Sequence, residues 1–97
     1  LQYTKMKPAA IHFDSVFEKH WHKYVAGLAA KQKEQLHERL SFFKEDIFDR
    51  RLKTHRLKGN LKDYYAFSIS YSDRIVFKIL KDNSVYFIDI GSHDICY

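Results

Sequence analysis

The spacing of the apolar residues changes once along this 97-residue chain, and that change constrains the fold more than any other feature. Before residue 50, apolar side chains recur every three or four residues, which is the period of an amphipathic helix. From residue 65 they alternate with small or polar side chains, which is the period of a half-buried strand. Helices first and strands second predict an α+β fold.

Two amphipathic helices are predicted in the first half. Their apolar faces are Phe17, Trp21, Tyr24 and Leu28, then Leu36, Leu40, Phe43 and Ile47. Asp14 and Ser15 offer an N-cap, and Ser15 with Glu18 fits a capping box. Gly27 marks a break before the second helix, which fits residues 29–48. Two such helices in succession predict an antiparallel hairpin.

The strands are predicted at residues 9–13 and in a three-stranded meander from residue 65, with turns at 72–73 and 81–84. One face of the meander begins with Tyr65, Phe67, Ile69 and Tyr71 and should be coated by the helices. The other face is small and polar, open to a ligand or to water: Ser68, Ser70, Arg74 and Lys78. The expected architecture is an N-terminal helical hairpin packed on a small twisted, mainly antiparallel β-sheet. It forms one domain over residues 1–97, with residues 1–8 flexible.

Composition excludes several classes of protein. No apolar run approaches the ~20 residues that span a bilayer, and no apolar segment follows the N-terminal charges as in a secretory signal. The single cysteine, Cys96, cannot form an internal disulfide, which favours a reducing, cytoplasmic location. His20 and His22 would point to different sides of a helix, so neither a metal site nor a cofactor is expected.

The positive charge is concentrated in one stretch. Residues 49–62 hold six Lys and Arg against one acid, whereas the whole chain has a net charge of +5. Such a cluster is typical of a surface that binds phosphate, although an acidic protein partner or a solvated loop would also explain it.

Three sequence stretches in the second half resemble motifs of the RelE/ParE superfamily of type II toxins. They are HRLKG at 55–59 with the aromatic pair at 64–65, RIVFKI at 74–79 and DIGSHDICY at 89–97. The similarity is strongest over residues 55–97 and is closest to the YafQ-type messenger RNA interferases. It implies the fold predicted above, a metal-independent endoribonuclease that cuts mRNA in the ribosomal A site, and a cognate antitoxin as partner.

The resemblance also implies which residues act. Candidate catalytic residues are His55, as base or phosphate contact, Arg74, for the phosphate, His93, as general acid, and Tyr97, for stacking or orienting. Candidate RNA contacts are Arg51, Lys53, Arg56, Lys58 and Lys62. Histidine suits proton transfer near neutral pH, and arginine offers a fixed fork to phosphate oxygens.

Other interpretations of these residues remain open. His93 can be a surface histidine, Arg74 a partner in a cross-strand ion pair, and Tyr97 a packing residue. The sequence departs from the YafQ pattern where Ser68 replaces a further histidine, and Asp73 can stand for that site's acid or simply form a turn. Alternative functions are a ParE-type inhibitor of DNA gyrase, which needs no histidines, or a degenerate module that only binds antitoxin.

Overall fold

The computed structural model describes residues 4–61 and 63–96, but not the side chains of Leu61, His93 and Cys96. The elements are β1 (Ile11–Phe13), α1 (Ser15–Ala26), α2 (Ala30–Glu45), β2 (His55–Arg56), β3 (Tyr65–Ser68), β4 (Asp73–Ile79) and β5 (Val85–Ser92). Short 3₁₀ turns lie at Arg50–Leu52, Gly59–Leu61 and His93–Cys96. The predicted order of two helices followed by a sheet is confirmed. No helix of this described part is long and apolar enough to cross a bilayer.

The strands form one sheet in the order β1-β5-β4-β3-β2. β1 runs parallel to β5 and the other pairs are antiparallel, so the sheet is mainly antiparallel as predicted. β2 was not predicted. It lies inside the basic stretch and pairs His55 with Ala66 and Arg56 with Tyr65, and two residues are too few to show a strand period.

The main core lies between the two helices and one face of the sheet. Phe43 of α2 is fully buried, 4.6 Å from the Phe67 ring and 5.2 Å from the Phe77 ring. Such aromatic pairs contribute roughly 0.5–1.5 kcal/mol each beyond the area they bury. Phe17 of α1 packs against Phe87 at 5.3 Å, so both helices coat the face that the alternation predicted.

Three local predictions were wrong. Of the two N-cap candidates, Asp14 caps α1, since its carboxylate accepts the Val16 N–H at 2.9 Å; the capping box predicted from Ser15 is wrong, because Ser15 is already helical. α2 ends at Glu45 rather than near 48. Tyr71 is fully exposed rather than on the apolar face, because β3 ends at Ser68 and its alternation ends with it.

Asp46 explains the early end of α2. Its side chain is buried and accepts the N–H groups of Met6 at 3.2 Å and Phe48 at 3.1 Å. The Ile47 N–H in turn donates to the Met6 carbonyl at 2.9 Å. These bonds turn the chain out of the helix and attach Met6, which lies in the segment expected to be flexible, to the C-terminal end of α2.

The opposite face of the sheet is partly covered by the end of the chain. Leu57, Ala66 and Val76 form a second apolar cluster against which Ile95 packs. A Cβ at Gly91 would lie 3.2 Å from Ile95 Cγ2, so glycine lets the closing turn His93–Cys96 approach the sheet. The same face also holds Ser68, which is buried, and Arg74, which is partly exposed.

Candidate functional site

A basic cleft of about 740 Å³ opens where the β3–β4 connection, the start of β4 and the end of β5 meet. Its lining residues are Arg39, Arg51, Lys53, Ser68, Ser70, Tyr71, Ser72, Arg74, Ser92 and Asp94. Four cations face one carboxylate there, and the small serines leave room between them. The basic cleft therefore has the charge and the space to hold an anionic ligand.

Arg74 is held in a fixed position in the basic cleft. Its Nη1 donates to the carbonyls of Asp73 at 3.0 Å, Ser70 at 3.2 Å and Tyr71 at 3.3 Å. A guanidinium has five N–H hydrogens, and those on Nε and Nη2 take no part in these bonds. They are the pair that can meet two phosphate oxygens.

Arg74 does not form a cross-strand ion pair with any described residue. Its strand partners are Ser68 on β3 and Gly91 on β5. Within residues 4–61 and 63–96, no carboxylate lies within ion-pair distance of Arg74. Its charge is therefore available to a ligand.

Arg51 lines the same cleft, but a carboxylate already pairs with it. Its Nε and Nη2 donate to both Asp49 oxygens at 3.0 and 2.7 Å, and its guanidinium lies 3.5 Å from the Phe42 ring centroid. Hydrogen bonds from Arg51 hold the pKa of the Asp49 carboxyl at about 2, well below its usual value. Arg39 donates to the Arg51 carbonyl, and this hydrogen bond connects α2 to the 3₁₀ turn at Arg50–Leu52.

Lys53 ends that turn in a left-handed conformation, with φ of 54°. The preceding Leu52 is fully buried and fixes the turn to the core. The Lys53 side chain is exposed and lines the cleft together with Arg74.

His55 lies near the cleft rather than in its lining. It pairs with Ala66 on β3, two positions from Ser68, which pairs with Arg74. Strand spacings of ~4.8 Å and a rise of ~3.3 Å per residue put the Cα atoms of His55 and Arg74 about 12 Å apart on one face of the sheet. The two residues share that face, and the side chain of each hydrogen-bonds to backbone carbonyls of its own segment.

The tautomer of His55 follows from its hydrogen bond. Nδ1 lies 3.1 Å from the Lys53 carbonyl, which can only accept, so the hydrogen is assigned to Nδ1. In the neutral ring Nε2 then carries the lone pair that a general base needs.

The other predicted site residues are distributed differently. Arg56 points to the opposite side of β2 and lies 3.8 Å from the Asp63 carboxylate, in a separate depression. Lys58 is exposed between β2 and the next turn and does not line the cleft. Lys62 and Tyr97 lie outside the described residues. The His93 backbone begins the closing turn between two cleft-lining residues, Ser92 and Asp94, while its side chain is not described.

Asp73 does not contribute to the cleft. Its carboxylate accepts the Tyr24 hydroxyl of α1 at 2.6 Å, on the helix side of the sheet. Burial and this carboxylate raise the pKa of Tyr24 to about 12. Asp94, Arg39 and Tyr71 line the cleft but were not among the predicted site residues. Only Asp94 could have been suggested by the sequence, because it directly follows His93.

No metal centre is evident in the described part of the chain, where no group of three or more His, Cys, Asp or Glu side chains could hold an ion. His20 lies 2.5 Å from an Asp89 oxygen, which is a pairwise contact between α1 and β5.

No family model matches the sequence, and no curated protein is significantly similar to it. Solved structures are similar in fold. A YoeB/ParE toxin from Agrobacterium tumefaciens superposes with a TM-score of 0.70 at 16% identity, covering 87% of this chain and 98% of that one. YafQ from E. coli gives 0.67 at 17% identity, covering 90% and 96%. A metal-bound toxin from Helicobacter pylori gives 0.64 at 24% identity, covering 91% and 98%. The sheet order, the two helices on one face and these superpositions together show that the chain has the RelE/ParE-like fold of type II toxins.

Proposed function

We propose that this chain is the toxin of a type II toxin–antitoxin pair and that it cuts messenger RNA on the ribosome without a metal ion. The observation that carries the proposal is Arg74, a guanidinium fixed in a basic cleft by three carbonyls, with no described carboxylate within ion-pair distance. An arginine held in this way has two further N–H directions for a phosphate. The fold of toxins such as YafQ supports the same conclusion.

The chemistry needs a base, an acid and a stabilised phosphorane. The 2′-hydroxyl of the RNA loses its proton to a base and attacks the adjacent phosphorus, which gives a cyclic phosphate. The 5′-oxygen leaves and takes a proton from an acid. His55 Nε2 is the candidate base and His93 the candidate acid, since histidine exchanges protons near neutral pH.

Arg74 and Lys53 supply the electrostatic part of this mechanism. The extra negative charge of the phosphorane appears on its equatorial oxygens, and fixed cations lower its free energy without rearranging during the reaction. Tyr97 is the candidate for stacking a base or orienting the scissile phosphate. Arg51, Arg56, Lys58 and Lys62 remain proposed contacts to RNA or to the ribosome.

The proposed partner is an acidic antitoxin that covers the basic cleft and blocks access of RNA. YafQ has been solved as a DinJ–YafQ complex, at 18% identity to this chain and a TM-score of 0.62, which supports a partner of this kind. Charge complementarity would speed the association and make it depend on salt. The proposed place of action is the cytoplasm, where translating ribosomes are found.

Inducible expression tests the proposal. Wild type and His93→Gln are expressed in cells that carry a reporter mRNA, and primer extension maps cuts in translating and non-translating extracts. The expected result is in-frame cuts that need ribosomes and disappear in His93→Gln. His37→Gln is the matched control, because it removes an exposed histidine of α2 away from the cleft and should cut like wild type.

Other results would contradict the proposal in specific ways. Growth arrest with intact mRNA and a DNA-damage response would favour a gyrase inhibitor of ParE type. Expression without arrest would favour a module that only binds antitoxin. A fully toxic His93→Gln variant would remove His93 from the mechanism.

A further inference from the structure

Tyr71 is the most exposed large apolar side chain in the described part of the chain. Its relative exposure is 100%, whereas the next such residue, Phe13, reaches 50%. Tyr71 lies at the edge of the basic cleft and contributes to its lining. An aromatic ring with no covering inside the molecule can be covered by a ligand.

The loop that presents Tyr71 is held by hydrogen bonds across its base. The Ile69 N–H donates to the Asp73 carbonyl at 3.1 Å, and the Asp73 N–H donates to Ser70 Oγ at 3.1 Å. The Tyr71 carbonyl itself accepts from Arg74 Nη1 at 3.3 Å. The backbone of Tyr71 is therefore fixed relative to the guanidinium proposed to bind phosphate.

A single exposed ring beside a cluster of cations favours nucleic acid over protein as the ligand of Tyr71. Among the described residues, four cations and one carboxylate line the cleft, and Tyr71 is the one large aromatic ring in its lining. A protein interface is expected to have an apolar centre of several side chains, whereas bound single-stranded RNA combines a phosphate held by cations with a base stacked on an aromatic ring.

We propose that Tyr71 is a stacking platform for one unpaired nucleobase of the RNA strand, next to the nucleotide whose phosphate Arg74 binds. This inference rests on the proposed action on RNA and adds a base-binding position to the proposed site. A single-stranded base has an accessible π-face, and aromatic side chains bind such faces with little dependence on base identity.

Binding of an uncleavable RNA tests the platform directly. The probe is a fluorescent 2′-O-methyl heptanucleotide, and its affinity is measured by anisotropy for wild type, Tyr71→Phe and Tyr71→Leu. Tyr71→Leu should lower the affinity about 5- to 150-fold, which is the range that base–aromatic stacking contributes. Tyr71→Phe keeps the ring and should stay within about twofold of wild type.

A double-mutant cycle separates stacking from any indirect effect. The heptanucleotide is made abasic at each position in turn, and each version is titrated against wild type and Tyr71→Leu. At the stacked position the abasic probe should lose affinity for wild type, and the Tyr71→Leu penalty should fall below about twofold there. Phe13→Leu, an exposed aromatic outside the cleft, should leave all affinities unchanged.

Failure of the platform and failure of the proposed function give different results. If wild type binds the probe and cuts mRNA but Tyr71→Leu behaves like wild type at every position, Tyr71 does not stack a base and its ring is left for a protein partner. If wild type neither binds the probe nor cuts mRNA on ribosomes, the function on RNA fails and the platform fails with it. Thermal melts check the fold, which Tyr71→Leu should preserve because Tyr71 is fully exposed.

Discussion

Replacing Arg74 by lysine tests whether one guanidinium performs two tasks. In the structure Nη1 holds three carbonyls of the β3–β4 connection, while Nε and Nη2 are left for a ligand. A lysine ammonium has three N–H hydrogens on one nitrogen. It can satisfy the carbonyls or meet a phosphate, but it cannot do both with the same geometry.

The size of the effect follows from the bonds that are lost. A hydrogen bond to a charged group contributes roughly 1.5–3 kcal/mol, and ~1.4 kcal/mol corresponds to tenfold in rate. Losing one of the two bonds to the phosphorane should therefore lower kcat/KM about 10- to 150-fold. The protein should be destabilised by less than about 1 kcal/mol, because Arg74 is partly exposed and lysine replaces some of the bonds.

Single-turnover cleavage of ribosome-bound mRNA measures the first quantity, and urea denaturation measures the second. Lys78→Gln is the control, because it removes a cation from the same strand four residues further on, outside the basic cleft. It should cut within about twofold of wild type if the overall positive charge of the protein does not set the cleavage rate. Cleavage by Arg74→Lys within threefold of wild type would refute the two-task argument, whatever its stability.

Three further predictions concern stability and binding. Tyr24→Phe should lower the free energy of unfolding in urea by about 1–2 kcal/mol, because it removes the 2.6 Å bond to Asp73 from a partly buried pair. The pKa of Tyr24 is raised from 10.0 to about 12 in the folded state, so this contribution is complete below pH 10 and is lost as the pH rises to 12. In urea melts at pH 8 and 11, the free energy of unfolding of the wild type should therefore approach that of Tyr24→Phe at the higher pH. Phe43→Ala should cost about 3–5 kcal/mol in the same assay, since it empties a site stacked 4.6 Å from Phe67. RNA affinity should fall with salt at a logarithmic slope near −2, as expected for about three phosphates bound by Arg39, Lys53 and Arg74, and a slope near zero would contradict the basic cleft.

The layout of the fold could be predicted because it depends on hydrophobic periods. Phe67, Ile75 and Phe77 are buried where an alternation of two places them, and Phe17 and Phe43 where a helical period places them. The second strand could not be predicted, because two residues show no period and their basic neighbours suggested a loop. Tyr71 was misplaced for a related reason: the alternation continues in the sequence after the strand itself has ended.

The candidate site was predictable only in part. Arg74 was a candidate because it lies in a motif, and Lys53 was one because it lies in the basic stretch. Arg39 comes from a helix whose Lys and Glu residues look like a solvated face, and only the tertiary fold brings it to the cleft. Asp73 was ambiguous in sequence because a turn, an acid or a hydrogen-bond acceptor fits equally well, and the fold gives its carboxylate to Tyr24.

Small side chains beside Arg74 leave space for the cleft, and a hydrophobic pattern does not reveal where side chains are small. The strand partners of Arg74 are a serine and a glycine, so neither neighbouring strand places a large side chain beside it. The same glycine admits Ile95 at 3.2 Å from where a Cβ would lie, which seats the closing turn on the sheet. Gly91 therefore lets the turn approach that carries the His93 backbone to the edge of the cleft. Small residues on the central strands of such a sheet are then as informative about a site as the charged residues that line it.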